Sequence, residues 1–381
     1  MNAPLAVILA AGESSRFWPL STHGHKSLHR LVGHSIIEHT VRSLANVGVG
    51  EFLIVQSPLR EAATFAHRTV AAELGSGAPL GVRLSYYDLP QARGSGDALL
   101  AVADQLPEQF LLVNPENINA GDLLKSLLEQ PEPDATVIAV GQERQDTEHF
   151  GVFEFEDDRI VGITEKPPRG SEPSKLCNMG VYYMRRGFVE ALRKRPYHEF
   201  SLVLELSEQA AQGNVAVVTT TEPFFPLKFP WHLFAMRDAL CGGENYVGEN
   251  VSLHETATIG KNCCIERDVS VGAGVQLEDC IIGAGCVVES SLTSSILGAG
   301  VTIQSDVTIA TQNQDASSVT PIVKGQPVSS DRQQLGAVIG QGASILSGAM
   351  LPAGVLLGAE CRIFHGSASP SRVEDREHVQ A

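Results

Sequence analysis

Two cationic residues follow a small-residue turn close to the start of the chain. The apolar run LAVIL (residues 5–9) leads into the turn AAG (residues 10–12), and Arg16 and Lys26 come shortly after it. Successive backbone N–H groups in a glycine-containing turn can form a concave nest for phosphate oxygens. Guanidinium and ammonium groups can neutralise the phosphate charge. The stretch therefore predicts a site for a phosphorylated ligand, although the same pattern also fits a purely structural turn.

Three further polar elements follow in the same part of the chain. GSGDA (94–98) opens an amphipathic segment, TEKP (164–167) follows a short predicted strand, and NMGVYYM (178–184) comes soon after it. Within TEKP, Glu165 and Lys166 fit either a ligand site or a surface ion pair at a turn. The order of the four elements is much more specific than any one of them.

Up to about residue 235, apolar runs alternate with amphipathic segments. The runs predicted as strands are LAVILAA, EFLIVQS, VRLSYYD, QFLLVNP and DATVIAVG. The segments predicted as helices are SIIEHTVRSLANVG, LREAATFAHRTVAAEL, SGDALLAVADQL and AGDLLKSLLEQ. Such alternation predicts an α/β, Rossmann-like fold with a mixed, mainly parallel sheet and helices on both faces. Because ligands bind outside the carboxyl ends of the strands in such sheets, the turn at 10–12 lies where a ligand is expected.

The C-terminal part of the chain repeats with a period of six residues, with a few irregular steps. The aliphatic residues of this hexapeptide repeat are Val247, Leu253, Ile259, Ile265, Val271, Leu277, Ile282, Val288, Leu297, Ile303, Ile309, Ile339, Ile345, Leu351, Leu357 and Ile363. In a triangular β-helix, six residues build one face and place one aliphatic side chain inward. We therefore expect an all-β, left-handed parallel β-helix over residues 245–366. The period breaks at 310–338, which predicts a protruding loop, and residues 367–381 are expected to form a polar tail.

The composition of the 381 residues is that of an acidic globular protein. Hydrophobic residues make up 43% and charged residues 19%, and the net charge is −16. Binding to nucleic acid or to a membrane surface needs basic faces, so neither is expected as a partner. No apolar run reaches the roughly 18 residues of a transmembrane helix and no signal-peptide pattern is found, which predicts a cytoplasmic protein. The seven cysteines show no CxxC pair, as expected for buried thiols in a reducing compartment.

On these motifs and the repeat, nearly the whole chain, from about residue 5 to residue 365, resembles sugar-1-phosphate nucleotidylyltransferases with a C-terminal left-handed β-helix. The similar types are the glucose-1-phosphate thymidylyl- and uridylyltransferases and the N-acetylglucosamine-1-phosphate uridylyltransferases. The resemblance implies a nucleotidyltransferase domain over residues 1–238. That domain would convert a nucleoside triphosphate and a sugar 1-phosphate, or a similar cyclic phosphate, into an NDP-sugar and pyrophosphate. It also implies in-line attack at the α-phosphorus, a Mg²⁺ cofactor, and a homo-oligomer, dimer or trimer, formed through the β-helix.

The resemblance also implies roles for individual positions. By position in the family motifs, the nucleotide-binding residues are Leu9, Ala10, Ala11, Gly12, Gln91 and Gly94. The residues that correspond to catalytic cations are Arg16, Lys26 and Lys166. Those that correspond to the sugar-phosphate site are Asn117, Gly151, Glu165, Asn178 and Lys228. The residue that corresponds to a metal ligand is Glu116.

Several positions depart from the family pattern. Ser14 stands where the second loop glycine is found, and His25 stands where a proline precedes the catalytic lysine. Histidine does not restrict φ as proline does, so His25 indicates a more mobile loop, a phosphate donor when protonated, or a tolerated substitution. Glu116 replaces the aspartate that binds Mg²⁺, and Pro226 occupies the position of a second metal-binding aspartate. The ammonium of Lys228 could stand where a metal charge stood, or Lys228 could be a plain surface lysine.

The loop at 310–338 lacks the residues of the acetyl-transfer site found in bifunctional relatives. Gln314 occupies the position of the general-base histidine and Gln334 that of a lysine, and glutamine cannot accept the proton. The expected function is a nucleotidylyltransferase with a variant metal site, as the retained cations indicate. The altered metal positions leave a non-catalytic, nucleotide-sugar-binding regulatory protein as the alternative. An acyltransferase acting through the β-helix would need a histidine such as His365.

Overall fold

The chain divides into two compact units. The computed structural model describes residues 4–59, 67–128, 135–157 and 159–380. Unit 1 comprises the described residues within Met1–Glu13, Ile36–Ala62 and Arg68–Phe224, and unit 2 those within Ser14–Ser35, Ala63–His67 and Phe225–Ala381. The segment Ser14–Ser35, which contains both predicted loop cations, therefore belongs to the C-terminal unit. This division differs from the boundary at residue 238 that the resemblance implies.

Nine strands of the described residues form the main sheet of unit 1. They are β1 Ala6–Ala10, β2 Glu51–Gln56, β3 Arg83–Asp88, β4 Gln109–Val113, β5 Val137–Glu143, β6 Gly151–Glu156, β7 Arg159–Glu165, β8 Leu176–Arg185 and β9 Val215–Thr219. The first five coincide closely with the runs predicted as strands. In β1, Ala6, Val7 and Ile8 are fully buried, as expected for a strand covered on both faces.

The described residues form seven α-helices. They are α1 Ile36–Ala45, α2 Val70–Leu74, α3 Ser95–Ala101, α4 Ala120–Leu128, α5 Arg186–Lys194, α6 Ser201–Ala211 and α7 Leu233–Cys241. Short 3₁₀ turns lie at Ser15–Phe17, Lys26–Leu28, Ala78–Leu80, Ala103–Gln105, Thr147–His149 and Pro230–His232. Within the described ranges, no helix is both long and apolar enough to cross a membrane.

The helix predicted over residues 59–74 is shorter in the structure. Residues 60–66 of that prediction lie outside the described part of the chain. The helix α2 begins at Val70, where the Thr69 hydroxyl accepts a hydrogen bond from the Ala72 N–H at 3.2 Å. Threonine at this position satisfies one of the free N–H groups of the first turn, and it sets the start of the helix.

The sheet of unit 1 is mixed, as predicted. Its strand order is β9-β5-β8-β4-β1-β2-β3, with β6 paired to β8 and to β7. The strand β1 pairs in parallel with β2 and β4, and β2 pairs in parallel with β3. The strand β8 is antiparallel to both β4 and β5. Helix α1 packs with α4, and α3 packs with α5 and α6.

Unit 2 consists mainly of short parallel strands stacked in three faces. The first face contains Tyr246–Val247, Cys264–Ile265, Ile281–Ile282, Ile296–Leu297, Ala337–Ile339, Val355–Leu357 and Arg372–Val373. The second contains Ser252–Leu253, Ser270–Val271, Val287–Val288, Thr302–Ile303, Ser344–Ile345, Arg362–Ile363 and His378–Val379. The third contains Thr258–Ile259, Gln276–Glu278 and Leu292–Thr293, and a further pair, Thr308–Ile309 and Met350–Leu351.

This stacking confirms the predicted parallel β-helix. Every aliphatic residue of the six-residue series lies in one of these strands. Successive coils pair them directly, for example Ile265 with Ile282 and Ile282 with Leu297, and these three side chains are fully buried. Between residues 309 and 337 the chain leaves the coil and forms a small antiparallel hairpin, Ile322–Val323 with Gln326–Pro327.

Residues 367–381 do not form the predicted polar tail. Arg372–Val373 pairs with the first face and His378–Val379 with the second, so the described residues to 380 add a further coil. Val373 is fully buried in the core of the β-helix. The prediction was wrong because most residues of this stretch are polar and lie in the turns and on the outside of the coil. Its two inward-facing positions therefore did not stand out in the sequence.

Candidate active site

Four parallel strands of unit 1 end at one edge of the sheet. Because β1, β2, β3 and β4 are mutually parallel, the residues that follow β1 (11–13), β3 (91–94) and β4 (114–116) lie at this carboxyl edge. The strand order reverses at β1, which lies between β2 and β4, and ligands bind at such a switch point in open α/β sheets. The structure thus brings the predicted nucleotide-binding residues to the same edge as Glu116.

The turn after β1 is held by the end of the neighbouring strand. Ser57 follows β2 directly, and its hydroxyl donates a hydrogen bond to the Ala11 carbonyl at 3.0 Å. Ala11 is buried, whereas Gly12 is exposed. The last residues of β1, Leu9 and Ala10, pair with the last residues of β2. The end of β1 is therefore fixed, and the backbone of Gly12 is accessible at the sheet edge.

Gly94 is required by its backbone geometry and by its packing. Its φ is +132°, and a Cβ built on it would lie 2.3 Å from the Glu199 carbonyl oxygen. The residue precedes α3, so this close contact fixes the loop that carries the exposed Gln91. The structure therefore explains the glycine by packing within unit 1, in addition to the base-reading role that the resemblance implies.

A second group of predicted residues meets where β6, β7 and β8 adjoin. Gly151 pairs with Glu165 across β6 and β7, and a Cβ on Gly151 would lie 3.1 Å from Glu165 Oε2 and 3.9 Å from Asn178 Cβ. The Lys166 ammonium lies 2.7 Å from Glu165 Oε1 and 5.5 Å from the centre of the Phe200 ring. Four of the predicted residues are thus neighbours, and the ion pair considered for TEKP is present within this group.

Asn178 is oriented by two hydrogen bonds. Its Oδ1 accepts from the Gly180 N–H at 3.0 Å, and its Nδ2 donates to the Tyr182 hydroxyl at 2.7 Å. Burial raises the pKa of Tyr182 well above its usual range, and the nearby charge of Glu165 raises it further. Tyr182 therefore stays protonated and holds the amide of Asn178 beside Glu165.

Sequence reasoning did not single out Tyr182 as a site residue. It lies in the motif NMGVYYM, but the pairing register between β8 and β5 shifts between Asn178 and Tyr182. Gly180, with φ of +68°, lies inside this irregularity. Because a bulge breaks the alternation of side chains, counting along the strand could not show that residues 178 and 182 share a face. The signal that could have found Tyr182 is the glycine within an otherwise apolar strand.

The carboxylate of Glu116 lies just beyond β4 and is half-buried. Among the described residues, no group of three or more His, Cys, Asp or Glu side chains is placed to hold a metal ion. Mg²⁺ commonly binds through one or two carboxylates together with substrate phosphates and water. Glu116 fits a cation completed by such ligands, whereas the described residues do not form a cage made of protein groups alone.

Asn117 lies inside unit 1. Its side chain is 2% exposed, and its Nδ2 donates to the Met179 carbonyl at 3.1 Å. The amide therefore links the loop after β4 to β8, next to Asn178. Its Oδ1 is buried and has no hydrogen-bond partner among the residues that the structure describes. This geometry is that of a group that positions the loop carrying Glu116.

In unit 2, Ser14 reproduces the backbone geometry that the family glycine would supply. Its φ is +53°, in the left-handed region where glycine is favoured. Its hydroxyl accepts a hydrogen bond from the Lys26 N–H at 3.0 Å. The Lys26 ammonium donates to the Leu227 carbonyl at 2.7 Å. Lys26 is thus held at its backbone and at its side chain, and Lys228 directly follows Leu227, the partner of the ammonium.

His25 also adopts the geometry of the residue that it replaces. Its φ is −61°, close to the angle that proline imposes, and its Nδ1 accepts from the Ser27 N–H at 3.2 Å. Desolvation and the adjacent Lys26 charge lower the pKa of His25 to about 3. This lowered pKa favours a neutral ring that caps the turn near neutral pH, and it argues against a protonated His25 as a phosphate donor.

The other two predicted site cations in unit 2, Arg16 and Lys228, differ in their surroundings. Arg16 is exposed in the 3₁₀ turn Ser15–Phe17. Lys228 is half-buried, and its backbone N–H lies 3.2 Å from His232 Nδ1. Pro226, at the position of the second metal-binding aspartate, also contacts this ring nitrogen through its carbonyl at 3.0 Å. His232 therefore shapes the 226–228 turn, a role that the sequence did not indicate.

Comparison with known proteins places these features in a family. A family model described as "Nucleotidyl transferase" matches residues 5–222. The chain is 24% identical to the "Bifunctional protein GlmU" of one Methanococcus maripaludis strain over an alignment of 428 residues that covers 98% of each chain. With the GlmU protein of another strain of this species it is 23% identical over 278 residues, which cover 72% of this chain and 60% of that protein.

Two further proteins extend the comparison. The Haloferax volcanii protein "UTP--glucose-1-phosphate uridylyltransferase AglF" is 28% identical over 181 residues, which cover 46% of this chain and 70% of that protein. A crystal structure from Bacillus anthracis, assigned as a glucose-1-phosphate thymidylyltransferase in complex with sucrose, superposes with a TM-score of 0.52 at 21% identity. It covers 62% of this chain and 94% of its own, and at this identity it shows a shared fold.

Proposed function

Because this chain belongs to the nucleotidyl transferase family, we propose that it transfers a nucleotidyl group from a nucleoside triphosphate to a sugar 1-phosphate. The products are an NDP-sugar and pyrophosphate. The family that the sequence motifs indicated is thereby confirmed, and the resemblance extends over both units through the GlmU relatives. The base and the sugar are left open by the residues of this chain.

The observation that carries the proposal is the convergence at the carboxyl edge of the sheet in unit 1. The accessible turn at Gly12, the loop fixed by Gly94, and Glu116 all follow parallel strands that end there. The group formed by Glu165, Lys166 and Asn178 supplies a carboxylate, an ammonium and a hydrogen-bonding amide. Such a site suits a phosphorylated nucleotide and a hydroxylated, phosphorylated acceptor.

The reaction needs positioning and charge neutralisation more than proton transfer. An oxygen of the sugar phosphate forms a bond to the α-phosphorus, while the bond from that phosphorus to the bridging oxygen of the β-phosphate breaks. Pyrophosphate leaves with the bonding electron pair, so no proton has to move. Arg16 and Lys26 are proposed to stabilise the charge on the departing phosphates. Positioning Lys26 costs little reorganisation, because the Leu227 carbonyl holds its ammonium and the Ser14 hydroxyl holds its backbone N–H.

The acceptor is proposed to bind at the group around Glu165. The Glu165 carboxylate can accept hydrogen bonds from sugar hydroxyls, and the amide of Asn178, oriented by Tyr182, can donate or accept another. Lys166 is proposed to meet the acceptor phosphate, since its ammonium lies beside Glu165 and above the Phe200 ring. Lys228 is the further cation proposed for the phosphate groups.

A divalent cation is proposed as cofactor, with Mg²⁺ the expected ion. When bound, it would neutralise part of the phosphate charge. Glu116 is the residue of this chain proposed to hold it, with the remaining ligands supplied by substrate and water. The backbone of the Glu116 loop is braced by Asn117, which keeps the carboxylate at the sheet edge.

A non-catalytic nucleotide-sugar-binding protein is the second candidate. It is favoured by Pro226, which cannot replace a metal-binding aspartate, and by the absence of a larger carboxylate cluster among the described residues. This candidate retains ligand binding and predicts no turnover. An acyltransferase is not proposed, because Gln314 and Gln334 occupy the positions of the acetyl-transfer residues.

Pyrophosphate release is the test of the proposed function. The purified chain is supplied with Mg²⁺, each of five nucleoside triphosphates and a panel of sugar 1-phosphates, with EDTA as the metal-free control. Release with one pair, suppressed by EDTA, supports the proposal and identifies the substrates. No release, combined with nucleotide-sugar binding in calorimetry, supports the non-catalytic candidate instead.

The proposal extends to assembly and compartment. A homo-oligomer, dimer or trimer, is expected because stacked β-helix faces offer flat surfaces for self-association, and a cytoplasmic site is expected because nucleoside triphosphates are available there. Light scattering coupled to size-exclusion chromatography measures the oligomeric state directly. A monomer at micromolar concentration would contradict the first expectation.

A further inference from the structure

The segment Ser14–Ser35, which carries Arg16 and Lys26, is attached to the last coil of the β-helix, residues 372–379. The Trp18 Nε1–H donates to Asp375 Oδ1 at 3.2 Å, and the Thr22 hydroxyl lies 3.4 Å from each Asp375 oxygen. Asp375 Oδ1 also accepts from the Ala359 N–H at 2.7 Å. The preceding coil therefore holds the same carboxylate that accepts hydrogen bonds from Trp18 and Thr22.

A second residue of the same coil holds the face of the tryptophan ring. The Arg372 guanidinium carbon lies 3.7 Å from the centre of the Trp18 ring, which is a close cation–π contact. Arg372 is itself held by two bonds to Glu374 and by a hydrogen bond to the Ile322 carbonyl at 3.3 Å. Ile322 belongs to the 310–338 loop, so this loop also supports the guanidinium.

The other end of the segment is attached to an early coil. The Gly33 N–H donates to Glu266 Oε1 at 3.0 Å, and the Val32 N–H lies 3.4 Å from Cys264 Sγ. Glu266 is 1% exposed. Gly33 has φ of +81°, and a Cβ there would lie 2.4 Å from the Tyr246 hydroxyl. The segment between these two attachments therefore has a defined path within unit 2.

We propose that the last coil of the β-helix positions the cations of nucleotidyl transfer. Asp375 and Arg372 act as positioning residues: they fix Trp18, two residues beyond Arg16, and limit the movement of the backbone that continues to Lys26. The inference rests on the proposed function, because it assigns these residues to the same reaction. Misplacing a reacting group by about 1 Å can lower a rate about 100-fold, so loss of this attachment is expected to reduce turnover.

The kinetic experiment compares three variants with a matched control. Asp375→Ala removes the acceptor, Trp18→Phe removes the N–H donor and keeps a smaller aromatic ring for Arg372, and the third variant combines both changes. The control is Arg376→Ala, in the same coil, which removes a partly exposed ion pair with Glu360. A fall in kcat of about 10- to 100-fold is expected for each of the three, with the KM for the sugar phosphate little changed.

The double variant separates positioning from general damage. If both residues act through one hydrogen bond, the combined change is expected to lower kcat no further than Asp375→Ala alone. Arg376→Ala is expected to retain normal kinetics. Unchanged kcat in Asp375→Ala and Trp18→Phe, in a wild type that is active, would overturn the inference and leave the proposed function intact.

Hydrogen exchange provides a readout that does not depend on activity. The amides of residues 15–29 are expected to exchange at least several-fold faster in Asp375→Ala than in the wild type or in Arg376→Ala. Within the β-helix, faster exchange is expected only around Ala359, whose N–H loses its acceptor. If the wild type releases no pyrophosphate with any substrate pair, the proposed function fails. The exchange measurement then still decides whether the last coil orders the segment, and equal exchange in Asp375→Ala overturns that.

Discussion

Two residues of the segment Ser14–Ser35 differ from the family motif but keep the backbone geometry that the substitutions would be expected to disturb. Ser14 takes a positive φ where the family has glycine, and His25 takes a φ of −61° where it has proline. Each adds a hydrogen bond that its counterpart could not make: Ser14 accepts from the Lys26 N–H and His25 from the Ser27 N–H. At the residue scale, both residues therefore take backbone angles that glycine and proline favour.

The cations of this segment are expected to be essential for turnover. Arg16→Ala and Lys26→Ala should each lower kcat/KM by about 100- to 1,000-fold, because fixed charges that meet developing charge in a partly dehydrated site contribute at this level. Steady-state pyrophosphate release measures the loss. Arg83→Ala, which removes an exposed arginine on the far end of β3, should leave the rate unchanged. Near-normal turnover in either site variant would contradict the assignment.

His25 is expected to make stability depend on pH. Its pKa is lowered from 6.5 to about 3 in the folded protein, so between these values the unfolded chain binds a proton that the folded chain does not. The stabilisation is complete above pH 6.5 and is lost as the pH falls towards 3. The melting temperature of His25→Gln should therefore decline less than that of the wild type between pH 7 and pH 4. Parallel declines would contradict the prediction.

At the element scale, the loops at the sheet edge owe their positions to packing within unit 1. Ser57 at the end of β2 holds the turn after β1, and Asn117 ties the loop after β4 to β8. The irregularity in β8 turns Asn178 and Tyr182 towards each other. Each of these features fixes the position of a residue or loop relative to a neighbouring strand. The predicted residues therefore meet although they are distant in sequence.

Gly94 offers a test of this packing. Gly94→Ala is expected to lower the free energy of unfolding by roughly 2–4 kcal/mol, because its Cβ would meet a backbone oxygen in addition to the cost of the positive φ. Gly81→Ala is the matched control, with φ of +71° and open space around a Cβ, and should cost only about 1 kcal/mol. Chemical denaturation of both variants measures the difference. Equal losses would show that the close contact with Glu199 relaxes freely.

At the scale of the whole molecule, the β-helix continues further than the repeat suggested. Its last coil contributes Val373 to the core and Asp375 to the segment that carries Arg16. Residues 372–379 are therefore part of the folded β-helix. It also connects the 310–338 loop, through Arg372, to the same segment.

Val373 tests whether this coil is an integral part of the core. Val373→Asp is expected to destabilise the protein by on the order of 3 kcal/mol or more, because it buries an unpaired charge. Gln380→Asp, on an exposed position of the same stretch, should have little effect. Differential scanning calorimetry distinguishes the two. A melting temperature of Val373→Asp equal to that of the wild type would show that the coil is not required for stability.

The sequence alone determined the features that follow from local periodicity and residue type. Alternation of apolar runs and amphipathic segments predicted the mixed α/β sheet, and the six-residue period predicted the β-helix, because each period forces one inward side chain per strand. The types and order of Gly12, Arg16, Lys26, Glu165 and Lys166 indicated the family. These properties can be read from short windows of sequence, and they were confirmed at the level of fold and family.

Only the tertiary structure decided which long-range contacts are made. The attachment of Trp18 to Asp375 joins residues 357 positions apart, and no local pattern encodes such a pair. The same applies to the placement of residues 14–35 in unit 2 and to the shared face of Asn178 and Tyr182, which a bulge conceals. The lowered pKa of His25 also depends on desolvation. Desolvation results from tertiary packing, which the neighbouring residues in the sequence do not specify.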